Sequence, residues 1–140
     1  MFEEGLSDKS ENDRTELGRT SVRKTLKQKY RFSSSFTKFK RDFKPYEFVK
    51  PCRGWIPYTF DHIDSGEQFS FVHIDVDLYE PIKEALSFFY PRMRKGSIIV
   101  VDDYGSALFP GAKKAVQEFL SQNSHEYFIE NNVGGCLIII

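Results

Sequence analysis

Two apolar runs, each ending in carboxylates and separated by about one helix, constrain this chain more than any other feature. The first is Phe71-Val72-His73-Ile74-Asp75-Val76-Asp77-Leu78-Tyr79, and the second is Ile98-Ile99-Val100-Val101-Asp102-Asp103-Tyr104. A parallel sheet delivers acidic side chains to one rim in this way, because ligands bind beyond the carboxyl ends of its strands. If the two strands are neighbours, roughly 5 Å apart, Asp75, Asp102 and Asp103 converge. Three such anions repel one another unless a cation lies between them. Hard oxygen donors select Mg²⁺, Mn²⁺ or Ca²⁺ rather than zinc.

The plainer reading of any one of these residues is a cap or turn former. Asp77 or Glu80 can cap the helix that opens near Pro81. For Asp75 together with Asp102-Asp103, a site is the better reading. Asp77 lies past the strand end, its carboxylate free for a second ligand. His73 shares strand parity with Asp75 and is a candidate base or ligand, although a satisfied, half-buried histidine is the more ordinary case.

The remaining segments predict an alternation of helices and strands. Residues 1–18 read as a polar loop and 19–30 as a basic helix. Phe32, Phe36, Phe39 and Phe43 recur at helical spacing, with a serine among 33–35 to cap the start and Pro45 to end it. Residues 46–50 read as a short strand and 69–76 as a buried one. Glu80-Pro81 opens a helix buried through Ile82, Ala85, Leu86 and Phe89. Residues 97–101 form a strand too apolar to face water on either side. Pro110-Gly111 opens a last helix, with Ala112, Ala115, Val116, Phe119 and Leu120 on one face. Two strands, 126–130 and 135–140, flank the turn at 131–134. The fold class expected is an open α/β sheet closed by an antiparallel hairpin.

The 140 residues suffice for one domain. It divides into a polar and basic lid or linker, residues 1–31, and an α/β core, residues 32–140. Positive and negative residues balance overall, yet the stretch from Arg19 to Arg53 holds twelve basic residues and only two acidic ones, Asp42 and Glu47. Interleaved aromatics there could suggest nucleic acid. The phenylalanines keep helical spacing, however, so they point to a core and the charges to a solvated face. Two cysteines build no disulfide framework, and no signal peptide or membrane-length apolar run is present. A reducing cytoplasm is therefore expected.

Three blocks resemble the macrocin O-methyltransferase family of S-adenosylmethionine-dependent enzymes. They are His73-Ile74-Asp75-Val76-Asp77-Leu78-Tyr79-Glu80-Pro81, then Phe89-Tyr90-Pro91-Arg92, then Asp102-Asp103-Tyr104-Gly105 with Pro110-Gly111-Ala112-Lys113-Lys114-Ala115-Val116. Gly54-Trp55-Ile56-Pro57 and Phe2-Glu3-Glu4-Gly5-Leu6-Ser7 are weaker echoes. The resemblance implies a Rossmann-like methyltransferase sheet and transfer of a methyl group to a hydroxyl of a sugar or similar natural product. It matches Asp75, Asp102 and Asp103 to the magnesium ligands and Asp77 to a position near the methyl donor or the acceptor. Mg²⁺ would then lower the pKa of the acceptor hydroxyl.

The resemblance begins after the family's second strand, so the first two strands and the donor's glycine-rich turn are expected to be missing. The edge of strand 69–76 would then pair with another polypeptide (the missing amino-terminal segment or a second copy), take up the 46–50 strand, or leave the chain poorly stable, and donor affinity would be weak or nil. Alternative readings are a non-catalytic remnant of such an enzyme and a metal-dependent hydrolase. No serine or cysteine nucleophile after a strand supports the hydrolase.

Overall fold

The computed structural model describes Asp13 and residues 35–140. They belong to two compact units, one containing residues 35–62 and the other containing Asp13 and residues 63–140. The expected helix over 19–30, and residues 1–18 apart from Asp13, lie outside the described residues.

In the first unit the phenylalanine stripe forms helix α1, Phe36–Asp42. Of the three candidate serines, Ser35 is the cap, its hydroxyl accepting the Lys38 N–H at 3.3 Å. Lys40 and Arg41 in the last turn suit the negative end of the helix dipole. Phe39 and Phe43 stack at 4.3 Å, but no residue of α1 is buried.

The expected strand over 46–50 is absent. Turn hydrogen bonds run from Tyr46 N–H to the Phe43 carbonyl and from Val49 N–H to the Tyr46 carbonyl. Phe48 is 81% exposed. The residues between Pro45 and Pro51 have the composition of a short strand, yet a strand needs a neighbour for its backbone groups. Among the described residues nothing pairs with this segment.

The second unit is a four-stranded sheet in the order β1-β2-β4-β3. The strands are β1 (Phe69–Ile74), β2 (Met93–Val101), β3 (Tyr127–Glu130) and β4 (Cys136–Ile139). β1 pairs in parallel with β2, and β4 runs antiparallel to both β2 and β3. Helices α2 (Tyr79–Phe89) and α3 (Pro110–Gln122) follow β1 and β2. This is the expected alternation, closed by the expected hairpin.

Period-2 burial fixes the inner face of the sheet. Val72, Ile74, Ile99, Val101, Cys136 and Ile138 are buried. They meet Ile82, Ala85 and Leu86 of α2 and Ala112, Ala115 and Val116 of α3, all at most 1% exposed. Each fully buried aliphatic side chain contributes on the order of 1.5–3 kcal/mol. The opposite face is open: Phe71 is 59% exposed, and Ile98, Val100, Leu137 and Ile139 are half-buried. The expectation that the 97–101 strand is covered on both sides is thus met on one side only. Among the described residues β1 lies at the edge of the sheet. No helix among the described residues is long and apolar enough to cross a membrane.

Burial pushes the Cys136 thiol up to about 12, whereas Cys52 is exposed. The native protein should therefore release one thiol equivalent to a chromogenic disulfide reagent at pH 8, and two in denaturant. Leu86→Ala, at a position with no exposure, should cost about 2–5 kcal/mol in urea unfolding.

Candidate metal centre

The parallel ladder ends with the Asp102 N–H donating to the Ile74 carbonyl at 2.9 Å. That bond brings the ends of β1 and β2 level, so the segments beginning at Asp75 and Asp102 leave the sheet side by side. Both then turn through left-handed backbone. Asp77 has φ 60° and Asp103 has φ 57°, the two non-glycine residues with positive φ among those described. Aspartate tolerates this region better than most residues, but it still costs energy and clusters at functional positions. The Leu78 N–H bonds back to the Val76 carbonyl at 2.6 Å, and the Ser106 N–H to the Asp103 carbonyl at 2.9 Å, closing the two turns.

The turns bring one carboxylate oxygen each from Asp75, Asp77 and Asp103 within 4.8 Å of one another. Asp77 is buried at 6% exposure, Asp103 is half-buried and Asp75 is exposed. Two full charges at that separation repel by about 3 kcal/mol at an effective dielectric of about 20. Burial and these charges favour the protonated forms of Asp77 and Asp75. Burial, then a hydrogen bond with Asp103, then the charges of Asp103, Asp75 and Asp102 raise Asp77 from 3.8 to about 7. Asp75 is raised too, by burial and then by the charges of Asp102 and Asp103, with His73 working in the opposite direction.

Of the residues singled out in the sequence, Asp75 and Asp103 therefore meet, and the third member of the group is Asp77. Asp102 is exposed, and its Oδ1 would lie 3.5 Å from a Cβ placed on Gly135. It acts on Asp75 and Asp77 as a nearby charge. His73 is exposed on the open face of β1, close enough to influence Asp75. In the sequence Asp102 ends its apolar run directly, whereas Asp77 lies past the end of the other. The left-handed turn at Asp77, which redirects its side chain inward, has no signature in the residue spacing.

Oxygen donors at this separation fit one hard cation. Ligands on opposite sides of Mg²⁺, at about 2.1 Å each, stand about 4.2 Å apart, and Ca²⁺ at about 2.4 Å allows about 4.8 Å. The 4.8 Å spread is an upper limit, within reach of either ion. The donor set excludes the soft, thiolate-type metals.

One further buried carboxylate, at the start of the helix after the Asp77 turn, has no signal in the sequence. Asp13, 2% exposed, accepts the Tyr79 N–H at 2.8 Å, at the first residue of α2. The contact spans 66 residues, so no local motif announces it. The Tyr79 hydroxyl in turn donates to Glu118 Oε2 at 2.5 Å, tying α2 to α3.

Comparison with known proteins places this architecture. A model of the family described as macrocin O-methyltransferase (TylF) matches residues 4–132. No match was found among curated proteins. The structure of the O-methyltransferase NovP is similar at 21% identity with a TM-score of 0.70, over 97% of this chain and 56% of that one. The crystal structure of CalS11, a calicheamicin methyltransferase, is similar at 20% identity with a TM-score of 0.56, over 96% of this chain and 56% of that one. The chain thus spans about half the length of each, and at these identities the likeness concerns the fold: a truncated Rossmann-like sheet, of which four strands lie among the described residues.

The raised Asp77 sets the sign of a pH effect. Its folded value lies above its ordinary one, so its stabilising contribution is complete below about pH 4 and is lost as pH rises through about 7. In chelator, Asp77→Asn should therefore unfold at higher urea than wild type at pH 8, and the gap should close by pH 4. Asparagine keeps the left-handed backbone and a donor for Asp103.

Proposed function

The chain belongs to the macrocin O-methyltransferase family, and on that premise we propose that it provides the cation-binding and acceptor-binding half of an S-adenosylmethionine-dependent O-methyltransferase. The observation that carries this reading is the meeting of Asp75, Asp77 and Asp103 at the carboxyl end of two adjacent parallel strands. In this reading the three carboxylates hold one Mg²⁺, and Asp102 adds negative potential from the rim. A magnesium ion so held supplies Lewis-acid polarisation of an acceptor hydroxyl. The acceptor class that fits is a small molecule with a hydroxyl beside a second oxygen, as on a sugar. His73, exposed at the same strand end, is the candidate to take the hydroxyl proton. Neither nucleic acid nor a membrane is required. The two free cysteines suit a reducing cytoplasm.

The residues described do not fit the methyl donor equally well. A nucleotide-like donor needs a glycine-rich turn between a strand and a helix, open to the ligand. Gly105 follows β2, but a Cβ there would lie 3.2 Å from the Gly134 Cα, so its approach is filled by another turn. Gly111, at the start of α3, lies against Asp13. Asp77, which the resemblance matches to a position near the donor or the acceptor, belongs to the acidic cluster. The donor's cradle must therefore come from outside the described residues, added along the free edge of β1 or by a second copy. Without it the chain has the properties of a non-catalytic remnant.

Calorimetric titration separates these readings. The chain should bind Mg²⁺ or Mn²⁺, and Asp75→Asn and Asp103→Asn should each weaken binding at least tenfold. S-adenosylmethionine should bind weakly or not at all until the amino-terminal half of a family member is supplied, when methyl transfer to a sugar hydroxyl should appear. Tight donor binding by the chain alone would overturn the assignment of the missing cradle. Failure to bind any divalent cation would overturn the metal centre. Metal-dependent ester or phosphate hydrolysis with no donor present would replace the transferase reading with a hydrolase.

A further inference from the structure

Helices α2 and α3 both begin without a capping side chain of their own. Leu78 and Phe109 occupy the cap positions, and neither makes a side-chain cap hydrogen bond. These are the helices that follow the two acidic turns, one carrying Asp77 and the other Asp103. Uncapped N–H groups at the start of a buried helix are costly, and a carboxylate is a favourable partner for them. Asp13 stands at both starts. Its Oδ1 accepts the Tyr79 N–H of α2, and its side chain lies so close to Gly111 of α3 that a Cβ there would overlap Oδ1. The same Cβ would come within 2.8 Å of Tyr79 Cβ. Gly111 is thus small because a carboxylate and a neighbouring helix occupy the space where its side chain would be.

We propose that Asp13 is a positioning residue for the acidic cluster. It fastens the first turns of α2 and α3 to each other and so fixes the separation of the Asp77 and Asp103 turns. The inference rests on the metal-centre reading above and deepens it, because it makes cation affinity depend on a carboxylate that does not touch the cation. Global packing alone would not have this effect. A destabilised but correctly arranged fold keeps its ligand geometry at temperatures where it remains folded, whereas a released clamp lets the two turns separate.

The test uses the full chain, with Mn²⁺ as the probe, read by calorimetry and by electron paramagnetic resonance well below the unfolding temperature of each variant. Asp13→Ala should weaken Mn²⁺ binding about tenfold, and Asp13→Asn, which keeps an acceptor for the Tyr79 N–H, should recover most of the loss. Gly111→Ala should reproduce the Asp13→Ala defect from the other helix. Ile82→Val, which thins the packing of α2 without touching the clamp, should lower the unfolding temperature and leave Mn²⁺ affinity within twofold. Hydrogen exchange of the Tyr79 amide supplies a readout independent of metal, and protection should fall at least tenfold in Asp13→Ala. Wild-type affinity in folded Asp13→Ala overturns the proposal, as does unchanged protection at Tyr79. An Ile82→Val defect as large as that of Asp13→Ala also overturns it, by reducing the effect to stability. Absence of Mn²⁺ binding in the wild-type chain is a different failure, and it overturns the metal centre itself.

Discussion

A single backbone hydrogen bond, from the Asp102 N–H to the Ile74 carbonyl, sets the geometry on which the acidic cluster depends. It is the last rung of the parallel ladder between β1 and β2, and it makes the two strand ends level. A slip of one residue in that register would move every side chain of β1 to the other face of the sheet. Val72 and Ile74 would leave the core and Phe71 and His73 would enter it. The buried face opposes the slip through Ile99, Val101 and Ile138, each without exposure. The packing that stabilises the sheet is thus the same packing that aligns the carboxylates.

The cluster runs against that stability. Asp77 is buried among like charges and sits on left-handed backbone, two costs at one residue. Such a residue persists because the surrounding structure fixes it. The turn of Leu78 onto Val76 and the anchoring of Tyr79 by Asp13 and Glu118 lie immediately downstream. The protein therefore keeps an arrangement that becomes electrostatically satisfied when positive charge enters it.

Much of this unit was legible in the sequence. Continuous apolar runs located β1 and β2, and the three-to-four spacing in 82–89 and 112–120 located both helices and their buried faces. The hairpin turn at 131–134 was also evident. Three features were not, and each has a physical reason. The segment 46–50 has the composition of a strand but no neighbour to pair with, and strands are defined by partners. The inward turn of Asp77 depends on a positive φ that aspartate permits but does not announce. Asp13 reaches its partners across the chain, and a polar residue in a polar stretch carries no trace of that contact. The family resemblance pointed to Asp75, Asp102 and Asp103, while the coordinates bring Asp75, Asp77 and Asp103 together.

The junction of Gly105 with Gly134 has an implication for how such proteins can vary. The Gly105 N–H donates to the Gly134 carbonyl at 2.6 Å, and a Cβ at Gly105 would lie a tight 3.2 Å from the Gly134 Cα. Hairpin tips are ordinarily where a domain absorbs insertions without penalty. This one abuts the loop that carries Asp103, so lengthening it would push on that aspartate. Evolutionary freedom at the carboxyl-terminal hairpin is thereby curtailed, and diversification of what the protein recognises would have to be sought in segments that do not lean on the acidic rim.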